Sequence, residues 1–235
     1  MRPSIIAHRG ASRDYRENTL PAFETALDLG ADGIELDVHS TSDGIVVVHH
    51  DADIRIGMEA GANETRAIAE LSIRELNSLS VSDMTRVPSL EEVLSLVGDR
   101  ADVYVELKGS GVEQAVVDVV QQSPAPRRCA IHSFDHVAVR AARRAAPAIP
   151  GGILLASRLA DPAGALKAAD ARDYWIQWSW ADAELVDSIH SAGGRVIVWT
   201  PPNERSFRAL AALGVDGICA DDVRALRTVL EGLYE

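Results

Sequence analysis

Strand-like and helix-like segments alternate along the whole chain, and this alternation restricts the fold more than any other feature. Short strand-like runs occur at about 4–8, 33–38, 103–107, 129–133, 152–155, 174–178, 195–199 and 216–219. Amphipathic stretches of helical period separate most of them, for example at 19–29, 90–97, 111–121 and 184–192. Strands that alternate with helices predict a parallel sheet, because a helix crosses over between neighbouring parallel strands.

The number of strands favours a closed sheet. Eight strands with about eight helices predict a TIM (β/α)8 barrel. The chain has 235 residues, a length that such a barrel fills by itself, so we expect a single domain over residues 1–235. The alternative is an open, doubly wound parallel sheet, because short strands are easily miscounted.

One interval, from about residue 51 to residue 88, interrupts the alternation. It contains an extra β-type segment at 57–62 and a short helical segment at 72–79. The interval is too long for an ordinary strand-to-helix connection and too short for a separate domain. We interpret it as an elaborated loop that follows the second strand and lies over one mouth of the barrel.

Composition and charge exclude several classes of protein. The formal net charge of −12 is too acidic for a general binder of nucleic acids or anionic membranes. The longest apolar runs, such as residues 45–48, fall far short of the roughly 20 residues that a membrane span needs. Cys129 and Cys219 are widely separated and form no secreted-type disulfide pattern. Because strand-like residues begin at position 4, we expect no export signal and a cytoplasmic location.

Carboxylates gather at the ends of two predicted strands. Glu35 and Asp37 alternate with apolar residues, so both side chains point to one face of the second strand, and Glu106 and Lys108 repeat this pattern on a later strand. Three oxygen donors close together fit a hard divalent cation, either Mg²⁺ or Ca²⁺. The alternative is an ion-pair network in which Lys108 neutralises Glu106.

Two of the seven histidines stand at strand ends beside charged residues. His8 closes the first strand and precedes Arg9, and His50 closes a valine-rich run and precedes Asp51. Histidine titrates near neutral pH, so this pair suits general acid and base roles. The remaining histidines are expected to be ordinary surface or core residues; they are His39, His49, His132, His136 and His190.

Two further residue types call for interpretation. Only Lys108 and Lys167 are lysines among 23 basic residues, which marks Lys108 as a position where a compact ammonium is needed. Trp175, Trp178 and Trp180 lie within six residues and could form an aromatic cage for a choline headgroup. Alternation allows at most two of these rings on one face, and core packing explains them equally well.

Nine short motifs stand in a familiar order between residue 8 and about residue 222. They are His8-Arg9-Gly10, Glu17-Asn18-Thr19, Glu35-Leu36-Asp37-Val38, Asp43-Gly44, His50-Asp51, Glu106-Leu107-Lys108, Ser133-Phe134, Val198-Trp199-Thr200 and Gly214-Val215-Asp216-Gly217-Ile218. In these motifs the chain resembles the glycerophosphodiester phosphodiesterase family. The family's Thr-Asp at the last strand is Ala220-Asp221 here, which is a departure from its pattern.

The resemblance implies a TIM barrel that hydrolyses small glycerophosphodiesters to an alcohol and glycerol 3-phosphate. It implies one divalent cation and assigns roles to eight positions of this chain. The general acid and base are His8 and His50, the metal ligands are Glu35, Asp37 and Glu106, and the substrate-binding residues are Arg9, Lys108 and Trp199.

Other functions remain open at this point. One is a related barrel phosphodiesterase that acts on phospholipid headgroups and forms a cyclic phosphate, and another is a catalytically silent phosphodiester-binding protein. A metal-dependent amidohydrolase would need His-x-His on the first strand, which the sequence lacks. We expect a small-molecule substrate and neither a nucleic acid nor a membrane span, whereas the sequence leaves the oligomeric state open.

Overall fold

A computed structural model describes residues 1–57, 63–79 and 86–234 of the chain. Its strands, in chain order, are β1 (Ser4–His8), β2 (Gly33–Ser40), β3 (Val46–Val48), β4 (Asp53–Gly57), β5 (Asn63–Ala67), β6 (Asp102–Leu107), β7 (Cys129–Ser133), β8 (Gly151–Leu155), β9 (Asp173–Gln177), β10 (Arg195–Trp199) and β11 (Gly217–Ala220). Eight of them, β1, β2 and β6 to β11, pair in parallel, and β1 pairs with both β2 and β11. The sheet therefore closes on itself, and the predicted TIM barrel is confirmed.

Helices follow the barrel strands along the chain. They are α1 (Leu20–Asp28), α2 (Ile73–Ser78), α3 (Leu90–Val97), α4 (Glu113–Gln122), α5 (His136–Ala145), α6 (Pro162–Ala168), α7 (Ala183–Ser191), α8 (Glu204–Leu213) and α9 (Val223–Tyr234). Most of them begin after a side chain that accepts a hydrogen bond from the first turn, such as Thr19, Ser89, Asp135 and Asn203. Each such cap stabilises its helix by about 1 kcal/mol. Within the described ranges, the structure contains no helix that is long and apolar enough to cross a bilayer.

Side chains of the barrel strands form two separate apolar layers, because alternate residues point outward and inward. The outward residues join the helices in the main core. The inward residues fill the barrel with a smaller cluster of Ile6, Tyr104, Ala130, Leu154, Trp175, Ile197 and Cys219. Both faces of each barrel strand are therefore covered, as parallel strands require.

An ionic group closes the N-terminal end of the barrel. The fully buried Asp173 accepts hydrogen bonds from Arg195 at 2.8 Å and from Arg172 at 2.7 Å. Arg195 also donates to the hydroxyl of Tyr104 at 3.2 Å. These contacts occupy the floor of the barrel, so the opposite end, where strands finish, is left for a functional site.

After β2 the chain turns and runs back along the same strand as β3. Strand β2 continues into a turn at residues 41–45, in which Gly44 has a φ of +82°, and β3 then runs back antiparallel with Val48 opposite Val38. The positive φ suits glycine because it has no Cβ. This return places His49 beside Asp37, with a backbone hydrogen bond of 3.0 Å, and so carries His50 to the mouth of the barrel.

The predicted loop over residues 51–88 has secondary structure of its own. Strands β4 and β5 form an antiparallel hairpin, and α2 agrees with the predicted helical segment at 72–79. A small apolar cluster joins these elements to β3; it contains Val47, Ile54, Ile68, Leu71, Leu76 and Val87. Of the predicted β-type segment at 57–62, Gly57 ends β4 and residues 58–62 lie outside the described residues.

Candidate active site

A pocket of about 480 Å³ opens at the C-terminal ends of the barrel strands. Its walls are formed by His8, Arg9, Glu35, His50, Glu106, Lys108, His132, Phe134, Leu154, Trp175, Trp199 and Cys219. Seven of the eight residues predicted from the sequence are among them. The eighth, Asp37, is fully buried next to Arg9 and Lys108, so the barrel brings all eight positions to one end.

His8, the last residue of β1, is held by a carboxylate from the other end of the chain. Its Nδ1 lies 2.6 Å from Oδ1 of Asp221, and its Nε2 lies 4.0 Å from a carboxylate oxygen of Glu35. Burial disfavours the charged ring, but the hydrogen bond to Asp221 and the charge of Glu35 outweigh it, so the pKa of His8 is raised. The ring is therefore oriented by Asp221 with Nε2 toward the pocket.

His50 is paired in the same way with its neighbour in sequence. Its Nδ1 lies 2.9 Å from Oδ1 of Asp51, and its Nε2 lies 3.2 Å from Nζ of Lys108. An ammonium group can only donate a hydrogen bond, so Nε2 accepts and the ring proton sits on Nδ1. In this tautomer Nδ1 donates to Asp51 and the lone pair of Nε2 accepts from Lys108.

Asp37 is the centre of a second group of contacts. It lies 3.0 Å from Nε of Arg9, and its Oδ2 accepts a hydrogen bond from Nδ2 of Asn18 at 2.9 Å. Arg9 and Asn18 both have a φ of +57°, a region that costs non-glycine residues about 1–2 kcal/mol. That conformation also lets the backbone N–H of Arg9 donate to Glu35 at 3.2 Å, so the strain accompanies two contacts to carboxylates.

The three predicted metal ligands are carboxylates that repel one another in the barrel mouth. The pKa values of two of them are raised, which shows that the charged forms are disfavoured. Burial and the charge of Glu35 raise the pKa of Glu106 to about 7, although Lys108 lies only 3.3 Å from it. Burial and the charge of Glu35 also raise the pKa of Asp37. Carboxylates that compete in this way are stabilised in the charged form by an added cation.

The donor atoms fit a divalent cation. Glu35, Glu106 and His132 each offer one ligand atom, and these atoms lie within 4.8 Å of one another. Asp37 Oδ1 and both ring nitrogens of His132 are buried and have no hydrogen-bond partner among residues 1–57, 63–79 and 86–234. Buried polar atoms without partners are unfavourable, and a cation would satisfy them. The site therefore supports a divalent cation without identifying the metal.

His132 and Asp221 are the site residues that the sequence interpretation missed. His132 was expected to be an ordinary residue, yet it lies directly opposite Glu106 in the register of β6 and β7. The alternation on β7, which puts His132 on the same face as Ala130, is the signal that could have found it. Asp221 was noted only as part of a motif departure, because its contact with His8 joins residues 213 positions apart.

Aromatic residues form another wall of the pocket. The rings of Phe134 and Trp199 meet edge to face, with centroids 5.7 Å apart. Trp175 lies inside the barrel, Trp178 packs against the main core, and Trp180 is exposed. The three tryptophans therefore do not share one cage, and of the three only Trp175 lines the pocket together with Trp199 within the described part of the chain.

The sequence matches one family model over most of its length. The model of the "Glycerophosphoryl diester phosphodiesterase family" matches residues 8–225. A glycerophosphodiester phosphodiesterase of Caldanaerobacter subterraneus is 30% identical over 239 residues, covering 96% of this chain and 97% of the relative. Another from Bacillus altitudinis is 32% identical over 233 residues, covering 92% of this chain and 94% of the relative.

Solved structures have the same architecture. A phosphodiesterase from Oleispira antarctica, solved with the product sn-glycerol-3-phosphate, aligns with a TM-score of 0.87 and 26% identity over 97% of each chain. A glycerophosphodiester phosphodiesterase from Thermotoga maritima aligns with a TM-score of 0.81 and 25% identity, covering 96% of this chain and 98% of the other.

Proposed function

The chain belongs to the glycerophosphoryl diester phosphodiesterase family and is a phosphoric diester hydrolase; we propose that it converts small glycerophosphodiesters to an alcohol and glycerol 3-phosphate. The observation that carries this proposal is the pair of imidazoles in one pocket, His8 and His50, each backed by an aspartate. The product found in the Oleispira antarctica relative supports the same substrate class.

We propose that Glu35, Asp37 and Glu106 hold one divalent cation, Mg²⁺ or Ca²⁺. When bound, such an ion supplies positive charge for the oxygens of the phosphodiester, which become more negative during attack. The raised pKa of Glu106 supports this role, as does Oδ1 of Asp37, which accepts no hydrogen bond from the described part of the chain. The carboxylates gain a counter-charge, and the pocket becomes locally positive inside an acidic protein.

The two histidines divide the proton transfers between them. His50 is the general base, because Asp51 accepts a hydrogen bond from Nδ1, so that Nε2 is the unprotonated nitrogen and lies on the pocket side next to Lys108. It removes the proton from the nucleophile, which is water or the neighbouring glycerol hydroxyl. His8 is the general acid, because Asp221 stabilises its charged form, and it protonates the leaving alkoxide.

Substrate contacts come from the remaining predicted residues. Arg9 and Lys108 bind the phosphate, and both line the pocket beside the carboxylates. Trp199, paired with Phe134, forms an apolar wall for the organic part of the substrate. Together they orient the phosphodiester between the two imidazoles.

A substrate panel tests the proposed reaction. The protein is stripped of metals and assayed with glycerophosphocholine and glycerophosphoethanolamine, with Mg²⁺ and Ca²⁺ supplied separately. We expect glycerol 3-phosphate and the free alcohol as products. A cyclic phosphate as the final product would instead identify the lyase reaction, and binding without turnover would identify a silent binding protein.

Replacing Lys108 by arginine tests the need for a compact ammonium. Nζ of Lys108 lies 3.3 Å from Glu106 and 3.2 Å from His50. A planar guanidinium is larger than an ammonium group and cannot make both contacts with the same geometry. We expect Lys108→Arg to lower kcat/KM about tenfold or more, the loss of one hydrogen bond to a charged group. The matched control is Lys167→Arg on the exposed side of α6, which should keep full activity. Equal activity of both variants would contradict the prediction.

Replacing Asp221 by asparagine tests how His8 is oriented. The amide keeps the shape of the carboxylate but does not stabilise a charged imidazole, so we expect kcat to fall about 10²-fold or more with little change in KM. Ser12→Ala removes a weaker contact of 3.3 Å to the same carboxylate and serves as the control. A KM effect without a kcat effect would show that Asp221 binds substrate rather than positioning His8.

A further inference from the structure

His132 is a buried histidine whose ring nitrogens make no hydrogen bond to the described part of the chain. Its side chain is 2% exposed, and neither Nδ1 nor Nε2 has a hydrogen-bond partner there. Leaving a buried polar group unsatisfied costs about 1–3 kcal/mol. The other inward residues of the barrel around it, Ala130 and Leu154, are apolar, so an apolar side chain would fill the same space without that cost.

The ring of His132 faces the carboxylates. Nε2 lies 3.7 Å from Oε1 of Glu35, which is too long for a hydrogen bond but close for two ligands of one ion. The ligand atoms of Glu35, Glu106 and His132 lie within 4.8 Å of one another. Two donor atoms that are each about 2.1 Å from a small ion lie at most about 4.2 Å from each other. The three ligand atoms therefore need to approach one another by well under 1 Å to bind one cation.

Trp175 holds the imidazole in this orientation. The two rings stack with their centroids 4.4 Å apart and an angle of 16° between their planes. A ligand whose ring plane is fixed before the ion binds loses little freedom on binding. The stacking therefore explains the orientation of His132 but leaves its nitrogens to be satisfied by something else.

We propose that His132 is a protein ligand of the cation together with Glu35 and Glu106, and that the site consequently prefers a first-row transition ion such as Mn²⁺ over Ca²⁺. Ca²⁺ takes oxygen ligands almost exclusively, whereas Mn²⁺ binds carboxylate oxygens and also accepts an imidazole nitrogen in a mixed set. The inference rests on the cation site of the proposed function, and it adds a nitrogen donor to the oxygen donors of Glu35, Asp37 and Glu106.

Spectroscopy of the bound ion tests the ligand directly. The metal-free protein is titrated with Mn²⁺ alone, and electron spin echo measurements record the nitrogen modulation that a coordinated imidazole produces. We expect this modulation in the wild-type protein and its loss in His132→Gln. In calorimetric titrations, the variant should bind Mn²⁺ about tenfold more weakly or worse, with less than about a threefold change for Ca²⁺.

The control is His190→Gln, which alters an exposed histidine that contacts Asp216 on the outside of the barrel. It should keep the modulation and the affinity for Mn²⁺. Wild-type protein that binds Mn²⁺ without nitrogen modulation would overturn the proposal, and this result needs no variant to fold. Neither readout uses a substrate. Nitrogen modulation in a protein that does not hydrolyse glycerophosphodiesters would contradict the proposed function alone. Hydrolysis by a protein that shows no nitrogen modulation would contradict the ligand assignment alone.

Discussion

Replacing His8 by alanine is expected to reduce kcat for glycerophosphocholine by roughly 10²–10⁴-fold, the usual contribution of a positioned acid or base. The reason is that Nε2 of His8 faces the pocket, while Asp221 at 2.6 Å stabilises the charged ring that donates the proton. Without this ring the alkoxide must leave unprotonated. Steady-state kinetics on the metal-loaded protein measures the loss, and His190→Ala on the barrel exterior should leave kcat unchanged.

A substrate with a different leaving group distinguishes the general acid, His8, from the general base, His50. A 4-nitrophenyl ester of glycerol phosphate releases an anion that needs no proton, so His8→Ala should keep most of its activity on this ester. His50→Ala should lose activity on both substrates, because the nucleophile still needs a base. If His8→Ala is impaired equally on both substrates, the assignment of His8 as the acid is wrong.

Replacing Glu106 by glutamine is expected to lower kcat/KM about 10³-fold at limiting cation concentration. The cation contributes several kcal/mol of charge stabilisation, and each 1.4 kcal/mol or so corresponds to a tenfold rate change. Excess chelator should abolish the activity of the wild-type protein for the same reason. The control is Glu91→Gln on the exposed face of α3, which should behave as wild type. Full activity in excess chelator would contradict the role of the metal.

Thermal unfolding shows whether Glu106→Gln has lost the bound cation or has a destabilised fold. In chelator, Glu106→Gln should be no less stable than the wild type, because it removes a buried carboxylate that Glu35 and Asp37 disfavour. A cation at about 100 times its Kd should raise the wild-type Tm by roughly 5–10 °C. The variant should gain much less. A variant that unfolds earlier than the wild type in chelator would show that Glu106 has a structural role.

Much of the fold was predictable because its signals are local. Parallel strands buried on both faces are short apolar runs, so all eight barrel strands were predicted to within about two residues. Amphipathic periodicity located several helices, and α3 spans the predicted stretch 90–97. The hairpin of β4 and β5 was missed because β4 alternates over only five residues and β5 is almost entirely polar.

The site residues that stand at the ends of barrel strands could be predicted from the sequence. Parallel strands finish at the same end of a barrel, so Glu35, Glu106 and His8 had to meet there once the barrel was recognised. His50 is a different case, because it reaches the mouth through the antiparallel return of β3, which the valine run alone did not indicate.

The sequence by itself determined the barrel, the family and the position of Glu35, Glu106 and His8 at its C-terminal end, because alternation and motif order are properties of the chain. The tertiary structure alone decided the partners of those residues. It set Asp221 beside His8, Lys108 beside His50, and His132 opposite Glu106. These contacts join distant parts of the chain through strand register, and register depends on how the sheet closes rather than on any local pattern.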